Sequence, residues 1–577
     1  MAEILLSPGV LARENDQSQV TSLPIQAGAA LVGPTVKGKV GVPKLITTYS
    51  EYQAYFGTTF NSGSVTNAQT YTYFTSISAY NYFQNGGTSL IVTRVASSSY
   101  TPAVSQPISS SADIGSLNAF TLETLSDGEI MNSVGPEDAQ GVLASGSKDN
   151  LRWEIVSPNT SSGTFGLLIR RGDDRTNNKT VLETWTNLSL DPNSSNYVAR
   201  IIGDQTLTTR NAGTTDIYLQ PSGSYRNSSR YVRVSNVSLT TVDYLDSNGD
   251  VRINAYTSSI PIAQSGAFEN ATGNIGGNNK YYQDITNTNS QGLVGANYTD
   301  VFNLLANRDE YRYNIISAPG LINAFAGHST VLSTLITNIE NRGDAIAPID
   351  LVGYGSSIGA VTSQAASRDT SYAAAYWPWL QTTDPDSGKN VWVPASTMIP
   401  GVYANNDRIA EAWFAPAGIN RGGLGQVIQA ERKLINADRD TLYQGKVNPI
   451  ATFPNTGVVV FGQKTLQKQA SALDRVNVRR LLIELKGYIS QVADNLVFEQ
   501  NTTATRNQFL AQVNPYLESV QQRQGLFAFR VVMDDSNNTP DVIDRNELRG
   551  GIYLQPTKTA EFVYLDFNIL PTGVTFA

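Results

Sequence analysis

Cysteine is absent from the 577 residues, which excludes disulfides, thiolate metal ligands and cysteine nucleophiles. Histidine occurs once, at His328, so a metal would have to rest on carboxylates, and the chain carries neither a D-x-D-x-D-G calcium loop nor a zincin motif. Basic charge is sparse: 41 Lys and Arg stand against 49 Asp and Glu, for a net charge of -8. Such a chain lacks the basic surface that displaces counterions from phosphate backbones, so no direct nucleic-acid partner is expected. No apolar run approaches the ~20 residues of a membrane span, and the opening "MAEILLSPGVLARENDQSQV" has no basic, then apolar, signal pattern, so neither membrane insertion nor export is expected. There is no G-x-x-x-x-G-K-[ST], and "RGGLGQ" at Arg421 lacks dinucleotide spacing. No cofactor is expected.

What is present describes a folded, turn-rich protein: 40% hydrophobic and 16% charged residues, with much Asn, Ser, Thr and Gly. The length suits roughly three or four domains at ~100–200 residues each. The expected class is α+β / α/β multidomain. Residues 1–25 read as an N-terminal arm broken at Ser7-Pro8-Gly9-Val10, because proline and glycine interrupt regular structure. Residues 26–95 and 296–376 read as one interrupted α/β middle domain: "TSLIVTRV" is a buried strand, and "HSTVLSTLITNIENRG" is a helix stopped by Gly343. Between them, short alternating runs such as "RWEIVS" and "RYVRVSNVSL" separated by Ser/Asn/Gly loops suggest a β-rich insertion of two lobes, 96–205 and 206–295.

Residues 377–555 read as a C-terminal α/β domain. It opens with a loop anchored by Trp377, Trp379 and Trp392 and holds two helices. One carries Val478, Leu481, Leu482, Leu485, Ile489 and Val492 at helical spacing, the other Phe509, Val513, Leu517 and Val520. Residues 556–577 read as a C-terminal strand arm, in which Val563, Leu565, Phe567 and Ile569 alternate with Phe562, Tyr564, Asp566 and Asn568. A strand so patterned needs a sheet to join.

Two features imitate catalytic sites. Gly355-Ser356-Ser357-Ile358-Gly359 matches the G-x-S-x-G elbow after a predicted strand, but the lone His328 precedes Ser357, whereas that hydrolase order puts histidine last. Asp534-Asp535 could serve a glycosidase in principle, although neighbours on a strand point to opposite faces. A surface hydrolase or depolymerase using Ser357 or paired carboxylates is the alternative reading; the expectation is a non-enzyme. The two R-G-D triplets at Arg171–Asp173 and Arg342–Asp344 are read as chance.

The chain resembles the tail sheath proteins of contractile-tailed bacteriophages. The resemblance rests on "SPGVLARENDQS", "YAAAYWPWLQTTDPDSGKNVWVPAS", "NPIATFPNTGVVVFGQKTL", "NVRRLLIELKGYISQVADNLVFE" and "ELRGGIYLQPTKTAEFVYLDFNI", in that order. It implies a homo-oligomer of stacked hexameric rings, helically arranged around an inner tail tube, that contracts to drive the tube through the host envelope for genome delivery. Partners would be the tail tube protein and the baseplate and tail terminator proteins; the protein would belong to the virion and assemble in the host cytoplasm. It also implies a conserved sheath core near the tube, an outward β-rich insertion, and arms that add strands to neighbours' sheets. Ser7, Pro8, Gly9, Val10, Val563, Leu565, Phe567 and Ile569 are the expected inter-subunit arm residues. Contact with the tube must break during contraction, which suits exposed charges on a helix: Arg506 and Arg523 first, then Arg479, Arg480 and Lys486.

Overall fold

The computed structural model describes residues 25–62, 69–97, 99–111, 118–274 and 280–562. Ser7, Pro8, Gly9, Val10, Val563, Leu565, Phe567 and Ile569 lie outside them.

The middle of the molecule is built on the fully buried strands Ala29–Gly33 and Leu90–Arg94, whose continuous apolar runs require cover on both faces. They pair in parallel, flanked by Ile316–Ser317 in parallel and Lys44–Ile46 antiparallel. Because Ile316–Ser317 follows the insertion, one sheet joins chain segments from both sides of it. The helix Ala326–Arg342 packs Val331, Leu332, Leu335, Ile336 and Ile339 inward. It stops at Gly343, whose left-handed φ of 72° lets its N–H reach Ile339 O at 2.8 Å, a turn that disfavours a Cβ. The second R-G-D is therefore a helix end: Arg342 donates to Leu305 O at 2.6 Å and pairs with Asp344 at 2.9 Å.

A second four-stranded sheet, linked to the first by a parallel bridge between Ile315 and Ile346, leads into the C-terminal region. Ala347–Ile349 pairs in parallel with Ala373–Trp377, which pairs in parallel with Asn448–Phe453, and that strand turns back to Gly457–Val460. A boundary at 376/377 thus falls inside a strand, because hydrogen bonding recruits residues on both sides of it into one sheet. The expected aromatic loop after Trp377 is a hairpin, Leu380–Thr383 against Asn390–Val393. Trp377 and Trp379 are buried beneath it and Trp392 half-buried, while Trp379 Nε1 donates to Val352 O at 3.0 Å.

The insertion is built on one large sheet that draws strands from both expected lobes, with a separate hairpin, Thr206–Arg210 against Tyr218–Ser222, beside it. The seven strands of the large sheet run in the order Val181–Ser189, Thr164–Arg171, Leu151–Asn159, Gln264–Glu269, Pro102–Ser105, Phe120–Asp127, Val232–Val237. Gln264–Glu269 and Val232–Val237, placed by the sequence in a second lobe, pair with strands of the first. The shared core of Phe120, Trp153, Phe165, Leu167, Ile169 and Phe268 explains why: neither half could bury its alternating apolar face alone. Beside it Arg170 makes a two-pronged contact with Asp174 at 2.7 and 2.8 Å, with Arg152 3.4 Å from the same carboxylate. All three are buried.

At the C-terminal end, the helices Val476–Asp494 and Thr503–Gln522 pack together through Leu481, Leu485, Val492, Val513 and Leu517, with the Tyr488 and Tyr516 rings stacked at 3.8 Å. Against them lies a two-stranded antiparallel hairpin, Leu526–Val532 with Gly551–Pro556.

Candidate functional site

The catalytic lookalikes dissolve into structural roles. Ser357 caps the helix Ile358–Ala366, its Oγ accepting the Ala360 N–H at 3.3 Å, the ordinary task of a serine at that position. His328 is fully buried, and its Nδ1 accepts the Ile322 N–H at 3.1 Å. Loss of hydration lowers the imidazole to a pKa of about 4, so it is neutral near pH 7. Asp534 accepts from the Ser536 N–H at 2.9 Å, and Asp535 pairs with Arg506 at 2.5 Å. The two carboxylates serve different partners.

The five cations proposed to line a contact face separate by burial. Arg479, Arg480 and Arg506 are buried, correcting their placement on an exposed face. Arg480 meets Asp407 at 2.5 Å under the Tyr403 ring. Arg479 donates to Ser371 Oγ and lies 4.0 Å from the Tyr372 ring centroid, its charge disfavoured by burial. Arg506 bonds Asn501 at 3.0 Å and Asp535. Lys486 is exposed, and Arg523 is partly so, paired with Glu411 at 2.9 Å over the Trp413 ring. The first helix is buried on every side over its opening turns, from Val476 to Leu481, so those turns present no exposed polar stripe.

The remaining candidate is the hairpin Leu526–Val532/Gly551–Pro556. Leu526 is buried towards the helices, and Phe529, Val531, Ile552 and Leu554 pack against the same core, whereas Phe527 and Tyr553 are exposed by 74% and 64%. Among the described residues both outer edges lack a strand partner, leaving rows of N–H and C=O groups that can accept another strand. The chain beyond the hairpin is held. Thr557 Oγ1 donates to Gln524 O at 2.6 Å, and Gln463 Nε2 to Thr559 Oγ1 at 2.6 Å. Glu561 receives Arg475 through two bonds, of 2.7 and 2.9 Å, with Tyr443 Oη at 2.7 Å and Gln463 Nε2 at 3.0 Å. Burial would raise the Glu561 pKa, but these bonds outweigh it and hold the carboxyl below its ordinary value. The sequence reading missed this clamp; its one local signal is Glu561 standing directly before the alternating strand pattern.

Known proteins extend the picture. The family model described as the phage tail sheath protein central domain matches residues 274–466, and that of the phage tail sheath C-terminal domain matches residues 468–570; together they span a little over half of the chain. The chain is 38% identical over 248 residues to the tail sheath protein of Vibrio phage KVP40, covering 42% of this chain and 36% of that protein. It is 35% identical over 227 residues to the tail sheath protein of Enterobacteria phage T4, covering 39% and 34%. The matches thus span about a third of the length of these relatives. Among solved structures, a sheath tail protein from Listeria innocua superimposes with a TM-score of 0.51 at 9% identity, over 92% of this chain and 95% of that one, a likeness of fold.

Proposed function

The chain belongs to the phage tail sheath family, and from that premise we propose that it polymerises as stacked hexameric rings around an inner tail tube and contracts to drive the tube through a host envelope for genome delivery. The observation that carries this reading is the C-terminal hairpin: two edges open among the described residues, exposed aromatics, and a root clamped at Glu561. Val563, Leu565, Phe567 and Ile569 of one copy, and Ser7 to Val10 of another, supply strands to such edges by β-augmentation. One added strand is weak, but arms engaged together in a closed mesh gain from effective concentration. Lys486 and Arg523 are the cations left to meet a tube surface reversibly. Baseplate and tail terminator proteins would bound the polymer, in a virion assembled in the host cytoplasm.

The test is truncation. A cut after Phe562 preserves the hairpin, whose second strand ends at Pro556, and the Glu561 clamp; a cut after Leu554 would shorten that strand and remove the clamp. Purified full-length protein should form helical tubes in negative-stain microscopy, and the truncated protein should remain a folded monomer. Tubes formed equally well without residues 563–577 would overturn the arm assignment, and full-length protein that stays monomeric would overturn the sheath reading. Ser357→Ala should leave assembly unchanged.

A further inference from the structure

The loop joining the two long C-terminal helices carries an anomaly. Phe498 is fully exposed and sits at φ 71°, a left-handed conformation that a bulky residue adopts only under constraint. Val497 beside it is 60% exposed. A lone surface apolar residue needs no explanation; an adjacent exposed pair, one of them on strained backbone, does. Asp494 and Glu499 flank the pair, and among the described residues neither carboxylate is in an ion pair.

At the other end of the same helices lies a groove of about 830 Å³ lined by Phe414, Phe461, Phe562, Arg421, Arg439 and Lys558. Phe461 and Phe562 are 43% and 69% exposed. The three cations have no ion pair among the described residues: Arg421 bonds Ala415 O and Arg439 bonds Asn436. Two carboxylates also line it, Asp440 and the Glu561 already held by Arg475, so the open rim is net positive. Groove and tip cannot meet within one subunit. Asn477, at the start of the first helix, and Gln524, just past the end of the second, line the groove, and the 19 residues of the first helix put about 28 Å between the two ends.

We infer that Val497–Phe498 of one copy docks into the Phe414/Phe461/Phe562 groove of a second copy, with Asp494 and Glu499 facing Arg421, Arg439 and Lys558. An apolar knob with an acidic rim and an apolar groove with a basic rim, at opposite ends of one rigid element, form a head-to-tail contact. Contacts of that type generate rings or open helices and not closed pairs. The inference rests on the sheath reading and adds a body-to-body contact independent of the arms.

The absence of cysteine makes the test clean. Phe498→Asn removes the ring while supplying a residue that tolerates a left-handed backbone, so the subunit should melt no lower than the natural one, while its critical concentration for assembly, with no other protein present, should rise at least about tenfold. Separate chains carrying Val497→Cys and Ala417→Cys should join through a short bis-maleimide only when assembled. The thiol introduced by Ala417→Cys should take up a thiol reagent in free subunits and be protected in tubes. Assembly of Phe498→Asn at the natural concentration, or tubes whose two introduced thiols do not cross-link, overturns the inference. So does an Ala417→Cys thiol already protected in free subunits, which would mean that the chain's own residues 563–577 fill the groove. Full-length natural protein that never assembles would instead refute the sheath reading beneath it.

Discussion

Replacing Glu561 with Gln should loosen the segment Thr557 to Phe562 by about 2 kcal/mol. The carboxylate takes two bonds from Arg475, of 2.7 and 2.9 Å, one from Tyr443 Oη at 2.7 Å and one from Gln463 Nε2 at 3.0 Å. Both sides of the Arg475 pair are largely shielded, with 25% and 17% of the side chains exposed, so solvent screening is modest. Bonds to charged groups are each worth ~1.5–3 kcal/mol. The amide keeps one oxygen for Arg475 or Tyr443, and Arg475 retains Asp474 at 2.8 Å, so the net loss is about one such bond. At 1.4 kcal/mol per factor of ten, 2 kcal/mol is a ~30-fold rise in the open population. Lys558 lies between the anchors at Thr557 and Glu561, which makes trypsin a direct probe: cleavage there tracks the open state when closing outpaces cutting. Release of the 559–577 peptide, followed by mass spectrometry, should be about 30-fold faster in Glu561→Gln. Tyr443→Phe, which removes one bond, should give a smaller rise, and the double variant less than the product of the two, since both act on one network. Release rates within twofold of the natural protein in Glu561→Gln would refute the clamp.

Arg480→Ala should destabilise the free subunit by about 2–3 kcal/mol in urea unfolding, because it removes a buried guanidinium bonded to Asp407 and packed under Tyr403. Arg523→Ala and Lys486→Ala should each cost under about 1 kcal/mol, as exposed charges do, and should weaken tube binding if they form that contact. Asp350 is buried, and lost hydration lifts its pKa to about 6, only partly offset by the Ser396 N–H and hydroxyl. Its neutral form therefore favours the folded state, adding stability as pH falls from above 6 to below about 4. His328, lowered to about 4 from an ordinary 6.5, does the reverse, losing stability as pH falls through that window. Each shift is worth about 3 kcal/mol at 1.36 per unit, so the two nearly cancel. Asp350→Asn should expose the histidine loss, making urea-measured stability fall by about 3 kcal/mol more between pH 7 and pH 4 than in the natural protein; parallel profiles would refute the Asp350 assignment.

Features written within one turn or one strand were readable in the sequence. The apolar spacing of Val331 to Ile339 and the stop at Gly343 gave the helix Ala326–Arg342, and the periodicities of Leu481 to Val492 and Phe509 to Val520 gave the two C-terminal helices. Pairing between distant segments was not readable. Gln264–Glu269 enters between Leu151–Asn159 and Pro102–Ser105, and its alternation fits any sheet with an apolar face to cover. Arg479, Arg480 and Arg506 read as a solvated face because the partners that allow their burial, Ser371, Asp407 and Asp535, are remote or unmarked. The choice of arginine over lysine was the available hint, since a guanidinium tolerates burial in ion pairs better than an ammonium. At the helix tip, "LVFEQ" continued the apolar pattern, and nothing local announced that the helix ends at Asp494 with Phe498 turned outward.

The distribution of buried charge bears on the proposed contraction. Arg152, Arg170 and Asp174 brace the insertion sheet, Arg342 ties the middle helix to Leu305 and Tyr311, and Arg480 pins the first C-terminal helix to Asp407. A buried ion pair is a poor source of net stability but costly to break, because opening it strands a charge. Interior contacts of that kind resist shear, so a lattice change is cheapest when subunits rotate as whole bodies and bending falls on the segments outside them. The Glu561 clamp fits that division. It ties the last described residues to the body, half-buried and hydrogen-bonded on both oxygens, so Thr557 to Phe562 turn with the hairpin as one piece. On the proposed function, a strand donated from this anchored root can stay in a neighbour's sheet while the two bodies turn past each other, because the clamp passes the load to the body and spares the hairpin.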